Sequence, residues 1–367
     1  MLIFGGTLTI SIFNIAEAQL KISSTLNIGD PAPALDVQQW IKGSPVQTYE
    51  RGRIYVLEYW ATWCKPCKAA MPHLSELARH YKKHITVIGI DAFEMATSTS
   101  RIKSFVDSMG RQMDYAVAMQ DSSVAVKWFE ASGEQGIPKT FIVDAEGRVA
   151  WIGHPSQLGP ILSQMVHGKW NVKEEAAKRQ QQKYLAALDD SLFYELLNYD
   201  GNWYRQDYIG KPDSALLFIA EQVRMEPKLK YAPRMAFHTF NALLKTNQLS
   251  AYDYGKVAMI TPVYEEPAYG AIIAGIENYS DKLNLSAEMY LLGAEAYQFE
   301  IDHTVYPELV NISKRYNRMA EWYWRAGKKC KAIKAQRGAI ESLKSKKQAS
   351  GTELALLESR LQFYRSN

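Results

Sequence analysis

Trp60-Ala61-Thr62-Trp63-Cys64-Lys65-Pro66-Cys67 is the stretch that decides the fold of the N-terminal half of this chain. Its two cysteines stand where a run of strand-forming residues, Ile54 to Trp60, gives way to a helical pattern. A strand that leads through Cys-x-x-Cys into a helix places the first sulfur at the helix N-terminus. Unpaired backbone N–H groups and the helix dipole favour a thiolate there. The pattern therefore indicates thiol–disulfide exchange.

Zinc binding is the competing interpretation of two cysteines at this spacing. A structural zinc site needs two more Cys or His ligands, normally also closely spaced. The chain contains 3 cysteines, and no second closely spaced pair exists. Three cysteines are also too few for a scaffold held together by disulfides. We therefore expect redox chemistry at Cys64 and Cys67, with no metal and no separate cofactor.

Length and charge limit the classes of protein that the chain can represent. Its 367 residues are enough for two or three domains, each with its own core. The net charge of +4 arises from intermixed acidic and basic residues. Because no large field of one sign is implied, nucleic acid is not an expected partner.

The N-terminus has the pattern of a secretory signal peptide. Residues 1–15 are free of Asp, Glu, Lys and Arg, and Ala16-Glu17-Ala18 follows as a small-residue cleavage site. We expect residues 1–18 to be removed and the mature protein to be periplasmic or otherwise extracytoplasmic. No Lys or Arg precedes the apolar run, so either the true start lies upstream or the signal is atypical. An uncleaved N-terminus would leave the protein membrane-associated. A buried strand with a Gly-Gly turn is the alternative.

Residues 19–168 alternate between strand and helix patterns and predict an α/β domain with a mixed sheet. A short hairpin is expected to open it, pairing residues 35–40 with residues 46–49. The remaining predicted strands are 54–60, 85–90, 114–119, the segment after Pro138, and 148–152. The predicted helices are 66–83, 101–109, 124–131 and 157–167.

Residues 169–367 have helical periodicity almost throughout and predict an all-α domain. Two segments, Pro212–Pro227 and Gly327–Ala339, resemble the second helix of a tetratricopeptide repeat. No regular 34-residue period is present, so we expect helix pairs with degenerate repeats at most. The predicted helices are 171–196, 213–226, 230–246, 266–279, 284–300, 306–326, 328–346 and 351–364.

Residues 30–165 resemble the thioredoxin superfamily, and within it the secreted thiol–disulfide oxidoreductases of the TlpA/ResA type. The resemblance rests on the Trp60–Cys67 stretch, the preceding strand with Glu58, Gly136-Ile137-Pro138, and the opening Gly29-Asp30-Pro31-Ala32-Pro33. It implies a thioredoxin fold for this part of the chain. The helical part is not covered by it.

The resemblance also implies roles for three residues. Cys64 would be the nucleophile, with one face open to substrate, and Cys67 the more buried thiol that resolves the mixed disulfide. Glu58 stands in an otherwise apolar strand, where an unpaired carboxylate is expensive to bury. By resemblance it occupies the position of the acid that accepts the proton of Cys67. An edge strand with Glu58 facing water is the alternative.

The remaining site residues are expected to shape substrate binding. By resemblance, Pro138 is a cis-proline against the disulfide, and the backbone of Ile137 pairs with the substrate as an added strand. Trp63 offers an apolar platform, and Pro66 lies in the first helical turn, where its missing N–H costs little. Lys65 departs from the glycine common in the family and places a positive charge beside Cys64, or else it is a solvated side chain.

These features lead to three hypotheses about function. The first is a disulfide reductase that acts on protein thiols and disulfides and receives electrons from a membrane thiol–disulfide donor. Ile137 and Glu58 favour it. The second is a disulfide oxidase or isomerase, favoured by Lys65. The third makes the helical part a partner-binding adaptor that carries the thioredoxin domain as an arm. Peroxidase chemistry is disfavoured, because Leu57 occupies the proline position of the pattern Pro-x-x-x-Thr-x-x-Cys.

Overall fold

The computed structural model describes residues 25–94, 98–200, 210–264, 267–345 and 350–367. These residues form two compact units, one ending at Gln181 and the other beginning at Gln182. The predicted signal peptide, residues 1–18, lies outside the described residues. The predicted division into domains at residues 168 and 169 stays a prediction.

A mixed sheet forms the centre of the first unit, as the sequence predicts, and it has six strands. Its strands are ordered β1-β4-β3-β2-β5-β6. Strands β2, β3 and β4 run parallel to their neighbours in this group, whereas β1, β5 and β6 pair antiparallel. The strands are β1 (Gln39–Lys42), β2 (Ile54–Trp60), β3 (Ile85–Asp91), β4 (Ala116–Met119), β5 (Lys139–Val143) and β6 (Val149–Gly153).

Helices flank the sheet and complete the thioredoxin fold that the resemblance implies. Trp128 and Phe129 of α3 pack their rings against Tyr59 of β2 and Phe141 of β5, whereas α1 lies along β3. The helices of this part are α1 (Lys65–His80), α2 (Thr99–Met109), α3 (Ser122–Ser132), α4 (Leu158–Val166) and α5 (Val172–Asp200). The division between the two units falls within α5.

The predicted hairpin at the start of this unit is wrong. Residues 46–49 form no strand, and β1 pairs with β4 instead. Contacts distant in sequence decide the outcome: Lys42 Nζ donates to the Met113 carbonyl, and Gln120 Nε2 donates to the Leu35 carbonyl. The turn-like sequence between two short apolar runs predicts a local hairpin and contains no information about these distant contacts.

Strand β2 has a different environment on each of its two faces. Side chains alternate along a strand, so Tyr55, Leu57 and Tyr59 point into the aromatic core while Glu58 and Trp60 share the opposite face. All seven residues of β2 are buried, because strands pair with it on both sides and helices lie on the sheet. The alternative that Glu58 lies on an edge strand and faces water is therefore wrong.

The second unit is helical, as predicted. Its described helices after α5 are α6 (Pro212–Met225), α7 (Pro233–Thr246), α8 (Gln248–Ala258), α9 (Tyr269–Tyr279), α10 (Ala287–His303), α11 (Ile312–Arg325), α12 (Lys329–Lys344) and α13 (Gly351–Ser366). The sequence did not predict α8. Its buried positions, Ala251, Gly255 and Ala258, carry small side chains, so no large apolar residues mark its buried face in the sequence. Gly255 is needed for close packing, because a Cβ there would lie 2.6 Å from Leu292.

Helices α11 and α12 form a pair joined at Gly327, which has a φ of 70°. The ring of Tyr316 packs against Gly338, where a Cβ would meet it at 3.1 Å. The two helices therefore approach closely at Gly338, where a larger residue would require the Tyr316 ring to shift. This is a helix pair of the kind predicted, and the assignment to degenerate tetratricopeptide repeats stays a prediction.

Gly89 in β3 should be needed for packing beside Glu58. It pairs with Glu58 across the sheet, and a Cβ on it would lie 2.9 Å from the Tyr115 ring and 3.2 Å from the Trp60 indole nitrogen. We expect Gly89→Ala to lower the free energy of unfolding by about 1–3 kcal/mol, because both rings are buried and cannot move freely.

Urea unfolding measures this change, and Gly159→Ala is the matched control. A Cβ on Gly159 in α4 meets nothing within 4 Å, so the control should be neutral or slightly stabilising. Equal effects of the two substitutions would contradict the packing account.

Candidate active site

Cys64 and Cys67 form a disulfide at the start of α1, with their Cα atoms 5.3 Å apart. Cys64 is the N-cap residue, and its Sγ accepts a hydrogen bond from the Cys67 backbone N–H at 3.2 Å. Lys65 and Pro66 occupy the first two helical positions. The first sulfur therefore lies where the helix dipole and an N–H donor stabilise negative charge, which lowers the free energy of a thiolate.

Both cysteines are buried in this disulfide form. Cys64 keeps 2% of its accessible surface and Cys67 keeps 1%, so the expectation that Cys64 has an open face is not met. Trp63 and Lys65 on either side of Cys64 are exposed, with Trp63 at 51%.

Ile137 and Pro138 lead into β5, and the peptide bond between them is cis, as the resemblance implies. Pro138 is buried and Ile137 is partly buried against the core. Strand β5 then begins at Lys139 and pairs with Tyr59 at the end of β2, one residue before Trp60 opens the active-site stretch. The register of these two strands therefore brings the proline to the same end of the sheet as the disulfide.

Glu58 is buried in the middle of the sheet with few partners. One carboxyl oxygen, Oε2, accepts a hydrogen bond from the Thr140 hydroxyl on β5, and Oε1 has no hydrogen-bond partner among the described residues. Its carboxyl keeps 1% of its accessible surface. Burial raises the pKa of Glu58 to about 8, although the Thr140 hydrogen bond and the charge of Lys139 both act to lower it. Glu58 is thus a proton-holding carboxyl at neutral pH.

Tyr115 is a neighbour of Glu58 that the sequence did not single out. Its ring lies against Gly89, the residue that pairs with Glu58 in the sheet. Burial raises the pKa of Tyr115, and the charge of Glu58 raises it further. The tyrosine therefore stays neutral and contributes a polar but uncharged wall to the Glu58 site.

Glu94 holds the segment before Cys64, and sequence reasoning missed it too. The backbone N–H of Thr62 donates to one of its carboxyl oxygens, and the Thr62 hydroxyl donates to the other at 2.9 Å. Next to it, the Trp63 indole N–H donates to the Phe93 carbonyl at 2.9 Å. Lys68 Nζ also donates to the Thr62 carbonyl, at 3.1 Å. Thr62 and Trp63 are therefore fixed by the segment that follows β3.

Asp91 is a second buried carboxyl near this segment. It ends β3 opposite Trp60 and keeps 2% of its accessible surface. Burial raises the pKa of Asp91 to about 8, and the neighbouring carboxyl of Glu94 raises it as well. Asp91 directly follows the apolar strand predicted at residues 85–90. An acid in that position is the sequence feature that could have predicted this site, as an acid within an apolar strand predicts Glu58.

The described residues show no grouping of three His, Cys, Asp or Glu side chains that could hold a metal ion. None of the helices in the described ranges combines the length and apolar composition needed to cross a bilayer. The prediction that the site uses the cysteine pair without metal or cofactor stays a prediction.

Comparisons with known proteins agree with this geometry. The AhpC/TSA family profile matches residues 28–152. FixW from Rhizobium leguminosarum is 34% identical over 176 residues, which are 43% of this chain and 75% of FixW. The chain belongs to the thioredoxin superfamily of thiol-disulfide oxidoreductases.

Other proteins to which the chain is similar share less sequence identity with it. Thiol-disulfide oxidoreductase ResA from Bacillus cereus is 28% identical over 139 residues, 37% of this chain and 75% of ResA. A thiol-disulfide isomerase structure from Corynebacterium glutamicum has 21% identity and a TM-score of 0.31, covering 36% of this chain and 96% of its own. A thiol:disulfide interchange protein structure from a Bacteroides species has 20% identity and a TM-score of 0.34, covering 39% and 93%.

Replacing Glu58 should change how stability depends on pH. The folded protein holds the Glu58 proton up to about pH 8, whereas an ordinary glutamate releases it near 4.5. The stabilising contribution of the protonated form is complete below that lower value and is lost as pH rises toward 8. Glu58→Gln cannot ionise, so it should avoid a loss on the order of 4 kcal/mol between pH 5 and pH 9.

Urea unfolding of the oxidised protein at pH 5, 7 and 9 measures this difference. Glu76→Gln, on the exposed side of α1, is the control and should follow the wild-type pH profile. Parallel profiles for wild type and Glu58→Gln would show that Glu58 is ionised in the folded protein.

Proposed function

We propose that the chain is an extracytoplasmic protein disulfide reductase that uses the Cys64–Cys67 dithiol. The observation that carries the proposal is Glu58, a fully buried carboxyl with a raised pKa on the strand that leads into the cysteine pair. Release of the reduced substrate requires the second, buried thiol, Cys67, to lose its proton. A carboxyl whose pKa lies near neutrality is suited to that transfer, because acid–base catalysis is most effective close to the working pH.

The proposed reaction runs in two exchange steps. The Cys64 thiolate attacks one sulfur of the substrate disulfide, forming a mixed disulfide and releasing the other substrate sulfur as a thiolate. In the fraction of molecules in which Glu58 is ionised, its carboxylate then takes the proton of Cys67, and the Cys67 thiolate attacks the Cys64 sulfur. The second substrate sulfur leaves, and the substrate has gained two electrons while Cys64–Cys67 has become a disulfide. A membrane thiol–disulfide donor would return the two electrons.

The surroundings of the pair support binding of an extended polypeptide segment. The exposed Trp63 indole, fixed by its hydrogen bond to Phe93, offers an apolar surface beside Cys64. The backbone of Ile137 before cis-Pro138 would pair with the segment as an added strand, the mode in which main-chain hydrogen bonds supply affinity. Pro66 would keep the second helical position free of a backbone donor, and Lys65 would modulate the charge beside the nucleophile.

The location outside the cytoplasm is part of the proposal. It is supported by the uncharged N-terminal run with Ala16-Glu17-Ala18, and by the chemistry of compartments in which disulfides persist. ResA, to which the chain is similar, carries the name thiol-disulfide oxidoreductase. Its reaction class agrees with the proposed one.

Oxidase or isomerase activity is the alternative direction, favoured by the exposed Lys65 next to Cys64. A positive charge there stabilises the thiolate of the reduced form and so makes the disulfide more oxidising. The reduction potential of the pair separates the two. We expect a value near that of thioredoxin, about −270 mV, measured against glutathione or dithiothreitol, whereas a value near −120 mV would overturn the reductase proposal.

Trapping identifies the substrate. Cys67→Ala leaves Cys64 able to form a mixed disulfide that cannot resolve, so we expect covalent complexes with proteins of the native compartment. The experiment is best made with Cys330→Ser added, because Cys330 is an exposed free cysteine on α12. Cys64→Ala in the same background is the control and should trap nothing. Equal recovery from both variants would contradict the role of Cys64 as nucleophile.

A partner-binding role for the helical unit has its own supporting observation. A cleft of about 450 Å³ opens between α9, α10, α11 and α13, and its walls carry both cations and carboxylates, among them Lys314, Arg318, Arg360, Glu277 and Glu300. Such a wall suits a polypeptide segment of mixed charge. Arg360 contacts the Asn317 amide oxygen at 3.4 Å, so reversing its charge should disturb the fold little. If this cleft recruits substrates, Arg360→Glu added to the trapping variant lowers the yield of complexes while the reduction potential stays unchanged.

A further inference from the structure

The loop that carries the cis-proline has few backbone anchors of its own. Gly133 and Gly136 have φ values of 68° and 74°, in the left-handed region that favours glycine. Gly133 and Glu134 still donate to carbonyls at the end of α3. Within the described part of the chain, the backbone of Gln135 and Gly136 makes no hydrogen bond to other backbone groups. The conformation of this loop must therefore depend on side chains.

Glu134 supplies the first side-chain anchor. Its carboxylate lies between two cations, with Lys139 Nζ 2.5 Å from Oε2 and the Arg179 guanidinium on Oε1. All three side chains are more than four-fifths buried, at 14% exposure for Glu134 and Arg179 and 19% for Lys139. Burial acts to raise the pKa of Glu134, but the charges of Arg179 and Lys139 outweigh it and hold that pKa below its ordinary value. The carboxylate is therefore ionised and firmly held.

Arg179 connects that carboxylate to the rest of the unit. It lies on α5, and its guanidinium also donates to the Ser132 carbonyl at the end of α3 and to the Ile152 carbonyl in β6, at 3.4 and 3.3 Å. One planar group thus contacts the loop, the helix before it and the outer strand of the sheet. A guanidinium has donors in a rigid fork that can serve several acceptors together, which a lysine ammonium cannot reproduce in the same geometry.

Lys139 links the anchor to the substrate edge. It follows Pro138 directly and begins β5, so its ion pair with Glu134 closes the loop from one end to the other. Arg179 is the only one of the three residues that lies outside the segment 133–139. The ion pair of Glu134 and Lys139 lies within the loop segment, and Arg179 connects it to α3 and β6.

We propose that Arg179 is a positioning residue for substrate binding: through Glu134 it holds the loop Gly133–Pro138 in the conformation that receives the substrate polypeptide. The inference rests on the proposed function for the nature of the substrate. It adds a residue on a helix beyond the sheet to the determinants of substrate affinity.

The chemistry of the cysteine pair should be independent of Arg179. Thr62 and Trp63, which precede Cys64, are held by Glu94 and Phe93 on the other side of the site. Of the three residues in the anchor, Lys139 is the one whose charge acts on Glu58. The pKa of Glu58 is set by burial, by the Thr140 hydrogen bond and by the charge of Lys139, and not by Arg179, so loss of Arg179 should leave that pKa unchanged.

The test compares full-length wild type with Arg179→Gln, Arg179→Lys and Lys178→Gln. Lys178 is the adjacent residue on α5, 61% exposed and 3.9 Å from Glu175, and its substitution removes the same charge without touching the loop. Three quantities are measured: kcat and KM for reduction of insulin by dithiothreitol, the reduction potential of the pair, and amide hydrogen exchange of residues 133–139.

For Arg179→Gln we expect KM for insulin to rise about tenfold and kcat and the reduction potential to remain unchanged, because a binding loop loses its preorganised conformation. Exchange should accelerate in residues 133–139 and not in residues 60–67. Arg179→Lys should recover part of the KM, since it restores a charge to Glu134 but not the fork. Lys178→Gln should match wild type.

Two results would overturn the inference. One is wild-type KM and wild-type exchange in Arg179→Gln. The other is a change in potential and in exchange at residues 60–67 as large as the change in the loop, which indicates general destabilisation. If the reduction potential of the wild type lies near that of a strong disulfide oxidant while Arg179→Gln still accelerates exchange in the loop alone, the proposed reductase function fails and the anchoring of the loop by Arg179 stands.

Discussion

The hydrogen bond from the Cys67 backbone N–H to the Cys64 sulfur is the contact on which the site depends. It exists because α1 begins at Lys65, a short connection after β2 ends at Trp60, so that Cys64 becomes the N-cap of a helix. The helix must start directly after Cys64 for the sulfur to lie at the positive end of the helix dipole. Pairing of β2 with both β3 and β5 places that strand inside the sheet.

The burial of β2 also raises the pKa of Glu58, the one acidic residue of that strand. Three buried carboxyls surround this end of the sheet, and their environments set their pKa values in different directions. Glu58 and Asp91 have no cation in direct contact, so burial raises both pKa values to about 8. Glu134 lies between two cations and has a lowered pKa. Carboxyl groups with different pKa values are suited to different roles. A raised pKa suits Glu58 to proton transfer, and a lowered pKa suits Glu134 to structural anchoring.

The helical unit uses close packing of small residues in place of alternating patterns. A Cβ on Gly255, Gly275 or Gly293 would lie 2.6 to 2.7 Å from a neighbouring side chain, which is closer than a normal contact. Large side chains of other helices, Phe240 and Trp322 among them, fill the space that these glycines leave. A helix whose buried positions carry small side chains has few large apolar residues to mark that face, which is why the sequence does not predict α8.

Local sequence determined the parts of this protein that depend on neighbouring residues. The apolar run Ile54–Trp60, the cysteine spacing and the helical pattern after it were sufficient for β2, α1 and the redox pair, and the isolated acid in an apolar strand was sufficient to single out Glu58. Tertiary structure decided what depends on residues far apart. Three contacts join segments that are separated by many residues: the pairing of β1 with β4, the hydrogen bonds of Thr62 to Glu94, and the ion pair of Arg179 with Glu134. No periodicity records such contacts, because side-chain geometry is set only after the chain has folded.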